Sequence, residues 1–350
     1  AYELLMSKNN FLGILINYTK NSSEINKSNT VLLNKQNINA SNSISAIGSG
    51  NYAGSFLFPS LEKAGARFNT LVSTNSFTAF NLARKFNFSK VSSNEANLFK
   101  EFSSDAIVIA TRHDSHGSLV LKAIEARKNI FVEKPLCINL KELLLIEKLY
   151  KSDTILMVGF NRRFAPLVGK LKILLDNCIG PKSFIYTCNS GFLPNEHWLN
   201  DPNKGGGRLV GEACHFLDLL RFLSCSKIND ANLVAIPSKN KLSDTFSINV
   251  SFDDGSIGVI NYLSNGSKLF PKERIEVFSD GKIFMLDNFK KLKAWGVPNF
   301  RSKNYFKLDK GQDLCCKKFI DSVKNNYPSP IPFDEIIEVH KWIFKLNKLL

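Results

Sequence analysis

Short apolar runs alternate with longer amphipathic stretches from Ser43 to Asn161, and this alternation constrains the fold more tightly than any other feature of the chain. The runs "SISAI", "RFNTLVST", "DAIVIAT", "NIFVEKPL" and "TILMVGFN" are apolar and short, as buried strands are. Between them lie "SFTAFNLARKFNF", "SHGSLVLKAIEARK" and "NLKELLLIEKLYKSD", whose patterning is helical. Strands separated by helices of roughly 10 to 15 residues belong side by side in a parallel sheet, because a parallel pair needs a crossover of that length. The prediction is an α/β, doubly wound Rossmann sheet.

Beyond about residue 160 the texture changes. "KSFIYTCNSG", "SINVSFDDGSIGVINYL" and "ERIEVFSDGKIFMLDN" carry the Asp-Gly signals of hairpins, "DDGS" and "SDGK". They predict an α+β domain with a large mixed or antiparallel sheet, closed by an amphipathic helix in "PFDEIIEVHKWIFKLNKLL". The expected organisation is a remnant of a preceding domain at 1–20 and a linker at 21–42, rich in Asn, Ser and Lys. A dinucleotide-binding domain at 43–159 and a substrate-binding and dimerisation domain at 160–350 follow. A homo-oligomer is expected. The start at Ala1 rather than Met supports the idea of a lost segment.

Composition removes several classes. A chain of 350 residues, 44% hydrophobic and 22% charged, suits two globular domains. The net charge of +15 invites a nucleic-acid reading, but the lysines are dispersed and not interleaved with stacking aromatics, so nucleic acid is not expected. A basic surface that attracts anionic cofactors or phosphorylated substrates accounts for the charge. No run reaches a membrane span, and "FLGILI" lacks the layout of a secretory signal. Seven scattered cysteines without a CxxC pair point to a reducing compartment, hence the cytoplasm.

"IGSGNYA" places Gly48, Gly50 and Ala53 in a G-x-G-x-x-A turn between a strand and a helix. The first glycine permits the tight turn, the second lets backbone approach a pyrophosphate, and the small third residue lets helix and strand pack closely. Asn51 and Tyr52 within the turn are candidate cofactor contacts. A ribose-binding carboxylate is missing: its place is filled by Ser73 and Thr74. With Arg84 and Lys85 nearby, NAD and NADP both stay open as the cofactor.

"GGGRLVGEACHFLDLLRFL" raises a different question, because it embeds charge in an apolar run. On an α-helix Arg208, Glu212 and His215 share one face with Asp218 on its shoulder, and a polar stripe on a buried helix needs partners. A histidine is suited to proton transfer near neutral pH.

Taken in order, "IGSGNYA", "ATRHDSH", "FVEKPL", "VGFNRRF" and "GGGRLVGEACHFLD" resemble the motifs of the Gfo/Idh/MocA oxidoreductases, from about residue 43 to 350. The resemblance implies a nicotinamide-dependent dehydrogenase acting on the secondary alcohol of a sugar or cyclitol. It implies Lys134 of "VEKP" beside the nicotinamide and the reacting hydroxyl, with Glu133 holding it, and His215 as the catalytic histidine. Thr111 and His116 would line the nicotinamide pocket. The family's aspartate four residues before that histidine is absent, since Gly211 stands there; Glu212, one residue on, is the candidate to orient His215 or to contact substrate. That departure leaves room for a non-catalytic nucleotide-binding sensor or assembly subunit, or for redox-neutral chemistry using the cofactor transiently. "AYELLMSKNNFLGILINY" is similar to the end of a zinc-type alcohol dehydrogenase module, as in bacterial two-domain proteins linked with polysaccharide or sugar metabolism.

The remaining candidates sit on the substrate side. Asn161 and Arg163 lie at the domain hinge, where they either reach ligand or form inter-domain salt bridges, and Arg208 begins the polar stripe. His197 and Trp198 are placed to shape a sugar site. His113 and His116 form H-x-x-H, but no third ligand at zinc spacing follows, so no metal is expected.

Overall fold

The computed structural model describes residues 29–33, 43–100, 104–194, 196–237 and 242–350. Its first sheet has seven strands in the order β1-β4-β3-β2-β5-β6-β7. These are β1 (Thr30–Leu32), β2 (Ser43–Ile47), β3 (Arg67–Val72), β4 (Lys90–Ser92), β5 (Ala106–Ile109), β6 (Asn129–Val132) and β7 (Leu156–Val158). All pairs are parallel except β1 with β4. Strands β2, β5 and β6 are almost wholly buried, which is why they read as unbroken apolar runs. Strand order reverses at β2, flanked by β3 and β5, so the crevice at the carboxyl ends of β2 and β5 is where an open α/β sheet places its ligand. Here the doubly wound sheet expected from the alternation is present.

The second sheet has eight strands in the order β15-β14-β13-β12-β8-β11-β10-β9. They are β8 (Ser183–Asn189), β9 (Ile228–Ala235), β10 (Phe246–Phe252), β11 (Ile257–Leu263), β12 (Glu273–Ser279), β13 (Lys282–Asp287), β14 (Lys291–Trp295) and β15 (Ser302–Asn304). Only β8 with β11 is parallel, so the sheet is mixed. The two Asp-Gly signals sit at hairpin tips: Asp280 and Gly281 both take positive φ, 51° and 67°, between β12 and β13. Two residues in that conformation twist with the strands they join.

Two expectations change. The stretch read as a linker contributes an edge strand, β1, pairing through Thr30, Val31 and Leu32 with Ser92, Val91 and Lys90. Backbone pairing holds it, with little burial of its side chains, so no apolar pattern marks it. The rest of 21–42 and the proposed domain remnant at 1–20 lie outside the described residues. The C-terminal helices also do not stay with the second sheet. Gln312–Asn325 packs on the first sheet through Phe319 against Phe131, with ring centroids 5.4 Å apart. Phe333–Asn347 sends His340 to the turn after β6, where Nε2 accepts from the Leu136 N–H at 2.9 Å. Phe333–Asn347 touches both sheets, at β7 and at β9, and so ties them together beside the crevice.

Candidate active site

A groove of about 1010 Å³ runs along the carboxyl ends of β2, β3 and β5, lined by Gly48, Ser49, Gly50, Asn51, Tyr52, Ala53, Ser73, Thr74 and Thr111. All the cofactor candidates from the glycine turn and the end of β3 therefore share one surface. Gly48 has φ +109°, and a Cβ there would lie 2.3 Å from the Ala110 carbonyl oxygen. Gly50 has nothing within 4 Å of where a Cβ would be, which leaves space over the turn. Ser73 hydrogen-bonds Ser49 at 2.8 Å, and Ser49 bonds Thr78 at 3.0 Å, forming a hydroxyl cluster where a ribose-binding carboxylate would stand. This cradle fits a dinucleotide.

The two glycines differ in a measurable way. Gly48→Ala is expected to lower unfolding free energy by more than about 1 kcal/mol in urea, because strain and contact combine. Gly50→Ala should leave stability within about 0.5 kcal/mol yet weaken nucleotide binding in an NADH titration, since its methyl enters only the groove.

A second cavity of about 580 Å³ adjoins the groove and shares Tyr52, Ala110, Thr111 and Trp198 with it. It brings together Lys134, Glu133, His116, Asn161, Glu212 and His215 from the sequence-predicted set. Lys134 follows β6, in the turn held by a cis bond to Pro135. Its ammonium donates to the Gly211 carbonyl at 2.9 Å. Two side chains brace that turn: His116 Nδ1 sits 2.7 Å from the Pro135 carbonyl, and His340 takes the Leu136 N–H. His116 is thus a positioning residue under the site. Burial holds its ring well toward the neutral form. His113 Nδ1 bonds the Gly205 carbonyl at 2.8 Å, so the two histidines of H-x-x-H each serve backbone.

Glu133 packs against Gly159, with Tyr52 beside it in the same cavity wall. Burial pushes its carboxyl up to about 7, with Lys134 working in the other direction. His215 behaves oppositely: burial, then the cations Arg162, Lys134, Lys310 and Lys272, hold its ring well below the ordinary histidine range. His215 is therefore neutral near pH 7, and its buried Nδ1 has no hydrogen-bond partner. The residue lines the cavity, and a buried ring nitrogen without a partner is uncommon enough in a folded protein to mark the position.

The helical face expected for Arg208, Glu212 and His215 is broken. Leu209–Ala213 is a π-helical turn running into the α-helix Cys214–Ser224. The wider turn brings Arg208 Nη1 to Glu212 at 3.2 Å but rotates His215 onto Phe160, with ring centroids 5.9 Å apart. Glu212 is instead held by Arg208 and the Tyr262 hydroxyl, so it lines the cavity without orienting His215. Despite burial, Lys134 and Arg208 keep its carboxyl below the usual range, hence ionised. Gly211 has no room for a larger residue: a Cβ would meet Leu199, His113 and the Gly205 carbonyl at 2.9 to 3.1 Å.

Three substrate-side candidates are engaged with the protein's own groups, Arg163 in the ion-pair role that was its other expected reading. Arg163 is an ion-pair residue, donating twice to Asp218 at 2.8 and 2.7 Å and once to Glu335 at 2.5 Å, away from the cavity. Asp218 is consumed by the same pair. Arg208 is committed to Glu212, Tyr262 and the Gly191 carbonyl and positions Glu212 from behind. His197 caps its own turn by accepting from the Leu199 N–H, leaving Trp198 alone to reach both cavities. Asn161 lines the cavity while its amide donates to the Lys310 carbonyl at 2.7 Å. The sequence reading missed Arg162, Lys272, Lys310 and Tyr262. Only Arg162, inside "GFNRRF", carried a motif signal.

A Rossmann sheet with a glycine-turn groove at its switch point, opening on a cavity with a lysine and a neutral histidine, defines a nicotinamide-dinucleotide oxidoreductase. Residues 43–160 match the profile described as "Oxidoreductase family, NAD-binding Rossmann fold", that of the Gfo/Idh/MocA proteins. The chain is similar to myo-inositol 2-dehydrogenase of Thermotoga maritima, 28% identical over 249 residues, covering 67% of this chain and 74% of that protein. It is 29% identical over 215 residues to scyllo-inositol 2-dehydrogenase (NAD(+)) of Bacillus subtilis, covering 58% of this chain and 61% of that one. A solved levoglucosan dehydrogenase, in complex with NADH and levoglucosan, has the same fold, with TM-score 0.77 and 17% identity over 87% of this chain and 96% of that one.

Proposed function

We propose that this chain transfers hydride between the secondary alcohol of a sugar or cyclitol and a nicotinamide dinucleotide. The observation that carries the reading is that Lys134 and His215 face one cavity opening on the glycine-turn groove, with His215 Nδ1 unpartnered. The inositol dehydrogenases among its relatives support the substrate class. Gly48, Gly50, Asn51, Tyr52, Ala53, Ser73, Thr74 and Thr111 would hold the cofactor, whose nicotinamide accepts or returns the hydride. Lys134 stabilises the negative charge that develops on the carbinol oxygen, and its hydrogen bond to the Gly211 carbonyl fixes where it points. His215 takes the hydroxyl proton as a neutral base, with no prior deprotonation near pH 7. Trp198 offers a flat apolar face to a ring. Glu212, ionised and anchored by Arg208 and Tyr262, accepts hydrogen bonds from substrate hydroxyls.

The test is a titration with NADH and NADPH followed by nicotinamide fluorescence, then incubation of the oxidised form with inositols and aldoses. Binding of one nucleotide and its reduction by at least one polyol is the expected result. A folded chain that binds neither nucleotide overturns the reading.

A further inference from the structure

The inner cavity carries more positive charge than its acids can match. Lys134, Arg162, Lys272 and Lys310 all line it. Arg162 and Lys310 share one carboxylate, that of Glu273, at 2.8, 2.9 and 2.5 Å. Glu212 is already occupied by Arg208 from behind, and burial keeps Glu133 close to half-protonated at neutral pH. Lys272 stands exposed at the cavity rim, where it acts on Glu212 through space, and its ammonium has no ion pair or hydrogen bond among the described residues. Lys134 spends one of its three donors, on Gly211.

The surplus is not explained by the phosphates of a dinucleotide. Those belong at the glycine turn, and none of the four cations lines that groove. All four instead act on His215. An uncompensated group of cations in a half-enclosed cavity is a site for an anion, because low-dielectric walls strengthen the attraction.

We propose that the substrate carries an anionic group, a carboxylate or a phosphate, which docks on Lys272 and Lys310 while a carbinol of the same molecule reaches Lys134 and His215. Resting on the hydride-transfer reading for its second half, this narrows the substrate from neutral polyols to acidic or phosphorylated sugars and cyclitols. Lys272 is the specificity-determining residue, since Lys310 already holds Glu273.

The experiment titrates the full chain, loaded with NADH, with inorganic phosphate, glucose 6-phosphate, glucuronate and glucose at constant ionic strength. Binding is read from tryptophan fluorescence, to which Trp198 in the cavity wall reports. At least one of the three anions is expected to bind saturably and about tenfold more tightly than glucose, with Lys272→Gln removing most of that advantage. Whether glucuronate or glucose 6-phosphate is favoured separates carboxylate from phosphate. The proposal is overturned if no anion binds saturably, if glucose binds as tightly, or if Lys272→Gln leaves the preference intact. Parallel samples without nucleotide, beside the NADH and NADPH titration, separate the two readings: selective anion binding by a folded chain that binds neither nucleotide retires hydride transfer and leaves the anion site standing.

Discussion

Lys134→Ala and His215→Ala are each expected to lower kcat/KM by about a thousandfold, while the Kd for NADH stays within about threefold and the melting temperature barely moves. The separation follows from what each side chain touches. Lys134 makes a single bond, to the Gly211 carbonyl, and the turn that presents it is secured independently by His116 and His340. Removing the ammonium leaves the turn standing. His215 contributes no hydrogen bond through Nδ1, so its loss costs packing, including that against Phe160, and orphans no polar partner. Neither residue lines the glycine-turn groove, and cofactor binding therefore survives. Because His215 is held neutral, the rate in the alcohol-oxidising direction should not fall through protonation of this ring until well below its ordinary pKa of about 6.5. Steady-state kinetics on a substrate found by the polyol screen, with the nucleotide titration alongside, decide the matter. Rates within tenfold of wild type in both variants would remove these residues from the chemistry. A parallel loss of nucleotide affinity would make them structural.

What could be read ahead of the structure divides by distance along the chain. Strands β2, β3, β5, β6 and β7 were legible because each is a local apolar run whose neighbours are helices. The β12–β13 hairpin was legible because Asp280-Gly281 is a local turn signal. The edge strand β1 was not, since pairing with β4 uses backbone and buries little. The site follows the same rule. Gly48, Gly50 and Lys134 sit in contiguous motifs, whereas Arg162 meets Glu273 across 111 residues and His340 meets Leu136 across 204. The polar stripe was legible in part: Glu212 and His215 do line one cavity, but 100° spacing presumes α-helix, and the π-turn at Leu209–Ala213, with the separate partners of Glu212 and His215, could not be read from it. Arg163 takes the second of its two expected roles, the ion pair, while the neighbouring arginine, Arg162, lines the cavity.

Glu273→Gln should be strongly destabilising, lowering unfolding free energy in urea at pH 7 by about 3 to 5 kcal/mol. Glu273 is fully buried at the start of β12, where its carboxylate accepts two bonds from Arg162, one from Lys310 and one from the Tyr186 hydroxyl at 2.5 Å. Burial alone would raise its pKa, but Arg162 and Lys310 overcome that and hold the carboxyl far below the usual range. A depressed carboxylate stabilises the fold above its unfolded pKa of about 4.3 and loses that contribution as pH falls toward the folded value. The gap between wild type and Glu273→Gln should therefore be full at neutral pH and shrink below about pH 4. Glutamine cannot offset the buried guanidinium, so the penalty is that of an orphaned charge rather than of a lost hydrogen bond. The compensating test is Arg162→Met with Glu273→Leu, which removes both charges and should recover much of the loss. The same double change takes one cation from the cavity and frees Lys310 of its partner, and it should alter substrate affinity even where stability returns. Stability within about 1 kcal/mol of wild type for Glu273→Gln would mean that Arg162 is solvated through the cavity, and the ion pair would then belong to the site more than to the fold.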